Sequence, residues 1–160
     1  MTSGLEAASD PERALNEKTL VNYYVKHIVV DPRKGWDYDA VNFHLLAGII
    51  TQITHKNYGA SFDELVNLKS EAKVMVMPNF SDKRVALSYH KNGKPYANPR
   101  YIYSNEIGTG SFFMTAGDLY RYFAALVNGE ILPMKTVKEL FKTSTHSVYA
   151  GGVYHNKLYY

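Results

Sequence analysis

The chain has 160 residues, a hydrophobic content of 46% and a net charge of +3, which suffices for one domain with its own core. The charge is spread without a long block of one sign, which speaks against a nucleic-acid or membrane-surface role, and no apolar run approaches the length of a bilayer span. With no cysteine there are no disulfides and no thiolate chemistry, whereas 14 tyrosines supply rings for packing and hydroxyls for half-wet clefts.

In chain order, residues 1–9 read as a loop, and the charges scattered through residues 1–20 do not form a signal peptide. Asp10-Pro11-Glu12 is placed to start a short helical turn, with Asp10 as cap and Pro11 in the first helical position. Asn16 is the expected cap of a second helix over about residues 17–27, with Leu20, Tyr23, Tyr24 and His27 along one face. Ile28-Val29-Val30 is β-branched and extended, and Asp31-Pro32-Arg33-Lys34-Gly35 is a turn. The stretch WDYDAVNFHLLAGIITQIT, residues 36–54, then dominates the chain. Val41, Leu45, Leu46, Ile49, Ile50 and Ile53 recur at three- and four-residue steps, which predicts a helix over about residues 39–55. Phe43 and Ala47 widen its apolar face, so this helix is expected to be surrounded by other elements.

Residues 56–60 are a polar break, and Ser61-Phe62-Asp63-Glu64 has the form of a capping box opening a helix to about residue 69. Val74-Met75-Val76-Met77 before Pro78 reads as a short strand. Residues 85–89 and 96–103 flank His90-Lys91-Asn92-Gly93, where the Asn-Gly pair favours a hairpin turn. Thr115 and Asp118 form a second capping arrangement, for a helix with Leu119, Tyr122, Phe123 and Leu126 on one face that stops at Gly129. Pro133 begins a last helix to about residue 142, and residues 148–160 hold glycines followed by strand-like residues. This order predicts a mainly α fold with a small β-hairpin excursion, in a single domain over residues 1–160.

The side chains able to do chemistry cluster at Asp37, Tyr38 and Asp39, just before the central helix. A tyrosine there is held firmly, with its hydroxyl near the positive end of the helix dipole. On local grounds alone Tyr38 reads as a packing residue, and Asp37 and Asp39 read as helix-start residues rather than an acid/base pair. Ser70-Glu71-Ala72-Lys73 and Ser88-Tyr89-His90-Lys91 both spell Ser-x-x-Lys, but neither opens a buried helix, the context in which that motif is informative. His44 and His55 lie about three turns apart on one helix face, too far to share a metal, so neither a metal nor a cofactor is expected. The Gly108-Thr109-Gly110 loop has no lysine after it to cradle a phosphate and reads as a tight crossing. The tyrosines between Tyr89 and Tyr103 read as ordinary hairpin packing, or as the lining of a sugar- or peptide-binding groove.

Three stretches resemble the serine β-lactamase and penicillin-binding-protein superfamily, in its class C β-lactamase, D-alanyl-D-alanine carboxypeptidase and esterase-like branch. Met1-Thr2-Ser3-Gly4-Leu5 is similar to the end of Leu-Leu-Thr-x-Thr-Ser-Gly-Leu. Residues 36–54 are similar to Phe-x-Tyr-Ser-Asn-x-x-Tyr-x-Leu-Leu-Gly-x-Ile-Ile. GTGSFFMTAGDL, residues 108–119, is similar to Gly-x-Gly-Gly-Leu-x-Ser-Thr-Ala-x-Asp-Leu. The three stand in the right order, and the likeness is weakest over residues 70–103.

The resemblance implies acyl transfer. In that family the serine of Ser-x-x-Lys attacks a carbonyl, the lysine and the tyrosine of Tyr-x-Asn move the proton, and a Lys-Thr-Gly or His-x-Gly strand lines the far wall. Tyr38 matches the tyrosine, and the asparagine falls on Ala40, which has no amide to bind a substrate. The matched stretches lie between the family's nucleophile helix and its Lys-Thr-Gly strand. The implied architecture is an internal fragment, the helical domain of the β-lactamase/D,D-peptidase fold without the flanking α/β subdomain. The implied function is part of a bacterial serine hydrolase, extracellular or in the cell envelope, acting on cell-wall D-alanyl peptides, D-alanyl esters or related acyl substrates and inactive alone. The alternative, favoured by Ala40, is a non-catalytic module that binds peptidoglycan, teichoic acid or a protein partner. No nucleic-acid partner is expected. A domain parted from its neighbour would expose apolar surface, and residues 153–160 would be a strand with no sheet, so self-association is expected.

Overall fold

The structure, a computed structural model, describes residues 3–31, 37–76, 82–96, 104–144 and 147–155. Strand β1 (Leu5–Ala7) pairs antiparallel with β2 (Ile28–Val30), and α1 (Glu17–Lys26) spans the connection between them. Asn16 caps α1 as expected, its side chain accepting from the Thr19 amide at 2.9 Å. Leu20 and Tyr24 are the buried residues of α1, and Tyr23 and His27 are half-buried. The helical turn expected at residues 10–12 does not form. A capping carboxylate must face the amides of the next turn, and the Asp10 carboxylate instead accepts from the Tyr24 hydroxyl at 3.0 Å. The Asp10 carbonyl accepts from Tyr23 at 3.2 Å.

Helix α2 (Val41–Thr54) crosses α1, and here the packing departs from the expectation. Its buried residues are Val41, His44, Ala47 and Gly48. Leu46, Ile49, Ile50 and Ile53 are 53%, 53%, 37% and 73% exposed, so within the described residues α2 is covered on one face only. The reason is close approach. A Cβ at Gly48 would lie 2.5 Å from Val21 Cγ1, and one at Gly108 would lie 2.5 Å from the Phe43 carbonyl oxygen and 2.9 Å from the Ala47 Cβ. Small residues let two neighbours reach the α2 backbone, and that selects the face more strongly than a count of aliphatic side chains. His44 fits this interface by stacking on Tyr24 at 4.3 Å and donating from Nδ1 to the Ile107 carbonyl at 2.8 Å. Leu20, Tyr24, Val41, Ala47 and Ile107 form this first core.

A second core gathers Val66, Ala125, Leu126, Ile131 and Val137. Val66 comes from a continuous helical run: α3 (Tyr58–Phe62), a π-helical turn (Asp63–Asn67) and α4 (Leu68–Ser70). Its cap is Asn57, which accepts from the Ala60 amide at 2.8 Å, and not Ser61. Ser61 is buried one turn inside, donating to the Asn57 carbonyl at 3.1 Å, and the Glu64 carboxylate pairs with Lys56. Helix α5 (Ala116–Val127) opens with the expected capping box of Thr115 and Asp118. Of its expected face Leu126 is buried and Tyr122 half-buried, while Leu119 and Phe123 are largely exposed and Phe123 turns to Phe141 at 6.3 Å. Helix α6 (Met134–Leu140) follows Pro133.

Three further pieces of β structure complete the described chain. β3 (Met75–Val76) pairs with β4 (Phe112–Phe113). The expected hairpin turn forms at residues 88–96, where the Tyr96 amide donates to the Ser88 carbonyl at 2.7 Å and Gly93 has φ +77°. The second flank, residues 97–103, lies outside the described residues, as do most of the turn at 31–35 and residues 156–160. β5 (Tyr149–Ala150) pairs with β6 (Val153–Tyr154), so the beginning of the expected unpaired tail has a partner. Among the described residues helices supply most of the regular structure, and the named strands form three two-stranded ribbons beside isolated bridges at Tyr89–Pro95 and Ser144–Ser147.

Candidate active site

Tyr38 stands on the irregular approach to α2, and its backbone is fixed from both sides. The Asp37 Oδ1 accepts from the Tyr38 amide at 2.8 Å. Asp39 accepts twice, from the Val41 amide to Oδ1 at 2.8 Å and from the Ala7 amide to Oδ2 at 3.0 Å. The second of these ties the approach to β1, a long-range contact that no local pattern announces. The Asp39 bond to the Val41 amide is that of a helix-start residue, whereas the Asp37 bond reaches only the next amide, before α2 begins.

Ala40 occupies the helix-start position with φ −61° and ψ −27° and offers no side-chain cap. Asn42, the next amide side chain, does not stand in for it. Its Nδ2 donates to the Asp39 carbonyl at 3.0 Å and to the Leu5 carbonyl at 3.4 Å, and its Oδ1 accepts from the Ser3 hydroxyl.

The Tyr38 side chain is 55% exposed. Its ring meets Tyr149 edge-to-face, with centroids 6.3 Å apart and planes at 77°. Behind Tyr149 lies Tyr154 at 4.8 Å. Partial burial pushes the Tyr149 hydroxyl above the ordinary phenol range, with smaller contributions from Tyr38 and Tyr154. The arrangement presents one phenol to solvent at the start of an α-helix, on a fixed backbone and against an aromatic wall. Such a phenol can pass a proton to a group brought within hydrogen-bond reach. Neither Tyr149 nor Tyr154 belongs to a family-like stretch of the sequence, although Gly151-Gly152 between two tyrosine-bearing pairs is a hairpin signal.

The two Ser-x-x-Lys sequences are not brought to this place in a catalytic form. Ser70 is buried at the end of α4, its Oγ donating to the Val66 carbonyl at 2.8 Å and accepting from the Ala72 amide at 3.3 Å. The following Glu71 has φ +55°, which ends the helix instead of beginning one. Ser88 is an exposed hairpin residue. His44 is a buried core histidine and His55 the exposed residue capping the C-terminus of α2, and no metal-binding cluster of acidic and histidine side chains occurs among the described residues. Tyr89 and Tyr96 are 61% and 49% exposed on their hairpin, with Tyr96 packed on His90 at 4.7 Å. A cavity of about 310 Å³ lies between the starts of α1 and α3 and residues 104–111. Tyr38 does not line it, and the Glu17 carboxylate at its edge is engaged by the Tyr58 amide at 3.0 Å and 3.1 Å.

The family model described as Beta-lactamase matches residues 1–157. A Bacillus subtilis (strain 168) protein named as a penicillin-binding protein, PbpX, is 27% identical over 161 residues, covering 96% of this chain and 40% of its own length. The crystal structure of FmtA from Staphylococcus aureus superposes with a TM-score of 0.78 at 19% identity, over 97% of this chain and 46% of that one. The D-amino acid amidase of Ochrobactrum anthropi SV3 superposes with a TM-score of 0.70 at 22% identity, over 87% and 43%. The chain thus spans less than half the length of these proteins, and the two solved structures speak to the fold alone. The chain belongs to the Beta-lactamase family.

Proposed function

We propose that this chain forms the helical half of the cleft of a longer bacterial serine hydrolase and supplies Tyr38 to it. The carrying observation is the placement of Tyr38, half-exposed at the start of α2 on a backbone held by Asp37 and Asp39. The reaction would be acyl transfer through a serine ester, on cell-wall D-alanyl peptides, D-alanyl esters or related acyl substrates. The nucleophilic serine, its lysine and the oxyanion donors would come from outside these 160 residues, because Ser70 is buried and bonded at a helix end and Ser88 lies on an exposed hairpin, neither opening a buried helix. In this reading Tyr38 exchanges a proton with the serine or the leaving group. The B. subtilis relative named as a penicillin-binding protein supports an acyl substrate.

The test has two arms. The chain alone, incubated with a reactive β-lactam, is expected to keep its intact mass, and a stoichiometric adduct on Ser70 or Ser88 would overturn the assignment of the nucleophile. In the full-length protein, Tyr38→Phe is expected to cut turnover roughly 10²–10⁴-fold, as for a lost general base. The same variant should cost no more than about 1 kcal/mol of stability.

Ala40 favours a second reading, a non-catalytic module that holds peptidoglycan, teichoic acid or a protein partner. Near-normal turnover of Tyr38→Phe, or no turnover by the full-length protein on ester and peptide substrates, would move this reading ahead.

A further inference from the structure

A proton relay needs more than a fixed backbone. Asp37 and Asp39 hold the main chain on either side of Tyr38, but the direction of the phenol is set by rotation about its side-chain bonds, which those contacts leave open. A ring contact that bears on this rotation is that with Tyr149, distant by 111 positions in the chain and edge-to-face at 6.3 Å. We propose that Tyr149 is the positioning residue of Tyr38, held by the β5–β6 hairpin so that its ring fixes the direction of the catalytic phenol. The inference rests on the reading of Tyr38 as the relay tyrosine.

The hairpin is itself anchored elsewhere, which is what a positioning device requires. Tyr149 and Tyr154 are register partners across β5 and β6, and their rings lie 4.8 Å apart. The turn between them sits on the end of α6. Gly151 has φ +60°, and a Cβ there would come within 2.8 Å of the Phe141 ring and 3.0 Å of the Leu140 carbonyl oxygen. His155 closes the other side, its ring 5.7 Å from Phe141 and its amide donating to the Val148 carbonyl at 2.8 Å. Phe141 in turn meets Phe123 of α5 at 6.3 Å. The position of the Tyr149 ring is therefore dictated by the second core, and Tyr38, attached to the first core through α2, is aligned against it. Because the contact is between rings, the Tyr149 hydroxyl is dispensable in this role.

The experiment compares Tyr149→Phe, Tyr149→Ala and Tyr38→Phe in the full-length protein, reading kcat and KM separately. Tyr149→Phe keeps the ring and is expected to leave both unchanged. Tyr149→Ala is expected to lower kcat about 10–100-fold through misplacement of the phenol, with KM unchanged. If Tyr38→Phe loses turnover and a folded Tyr149→Ala does not, the positioning role is overturned and the relay reading stands. If Tyr38→Phe keeps turnover, the relay reading falls and the positioning role with it. A second measurement on the 160-residue chain does not depend on activity or on the survival of the alanine variant. The ring protons of Tyr38 should carry a ring-current shift that is retained in Tyr149→Phe and lost in Tyr149→Leu. Identical Tyr38 shifts in all three proteins would also overturn the proposal.

Discussion

Replacing His44 by phenylalanine separates its two contributions to the fold. The residue is only 3% exposed, stacks on Tyr24 with planes 9° apart, and donates from Nδ1 to the carbonyl of the buried Ile107. Phenylalanine keeps the stack and removes the donor. The Ile107 carbonyl then lacks this partner in a site closed to water, which costs about 1–3 kcal/mol. The histidine also carries a pH dependence. Burial lowers its pKa below the usual 6.5, against a smaller upward pull from the Ile107 bond and from Glu106, Asp10 and Asp39. Between the folded and unfolded values the unfolded chain binds more protons, so the stability from neutral His44 is complete above about pH 6.5 and is lost as pH falls toward the folded value. The assay is urea unfolding of wild type and His44→Phe at pH 7.5 and at pH 5. At pH 7.5 the variant should be less stable by the amount given, and the gap should narrow at pH 5. Equal stability at pH 7.5, or a gap that does not change with pH, would refute the account of His44 as a neutral buried donor.

Gly108 and Gly110 make a matched pair for testing the crossing over α2. Gly108→Ala meets a left-handed backbone at φ +76° and the α2 main chain, and should cost about 2–5 kcal/mol in a thermal melt, whereas Gly110→Ala, with open space around it, should be neutral or slightly stabilising. Ile53→Glu, on the exposed face of α2, should change stability by less than about 0.5 kcal/mol and reduce self-association seen by light scattering at high concentration; a wild-type chain that is monomeric at millimolar concentration would remove the basis for this. Asp118 accepts from the Thr115 hydroxyl, the Lys73 amide and Arg121, and these hold its carboxyl below the usual range. Its stabilising effect is present above the ordinary carboxylate range and lost as pH falls through the folded value, so Asp118→Asn should be the less stable protein near neutrality and converge with wild type in acid.

Signals that act within a few residues are legible in the amino-acid sequence alone. Asn16 and the Thr115–Asp118 box mark helix starts because a cap needs only the amides two or three positions ahead, and the Asn-Gly turn at 92–93 closes on residues close by. The likeness at residues 36–54 likewise singles out Tyr38. The capping reading of Ser61 fails to a competitor of the same kind, since Asn57 starts the helix one turn earlier and leaves Ser61 inside it.

Tertiary structure decided what depends on partners far along the chain. The helix α2 is apolar on opposite faces, and its composition cannot say which face is buried. That choice falls to Gly48 and Ala47, where Val21 and Gly108 can come close, and to His44, whose polar ring is acceptable inside because the Ile107 carbonyl, 63 positions away, accepts its hydrogen bond. The surroundings of Tyr38 are of the same sort. The tyrosine itself could be named from 19 residues of sequence, but the Ala7 amide that Asp39 holds and the Tyr149 ring beside it come from opposite ends of the chain, and only packing brings them to one place.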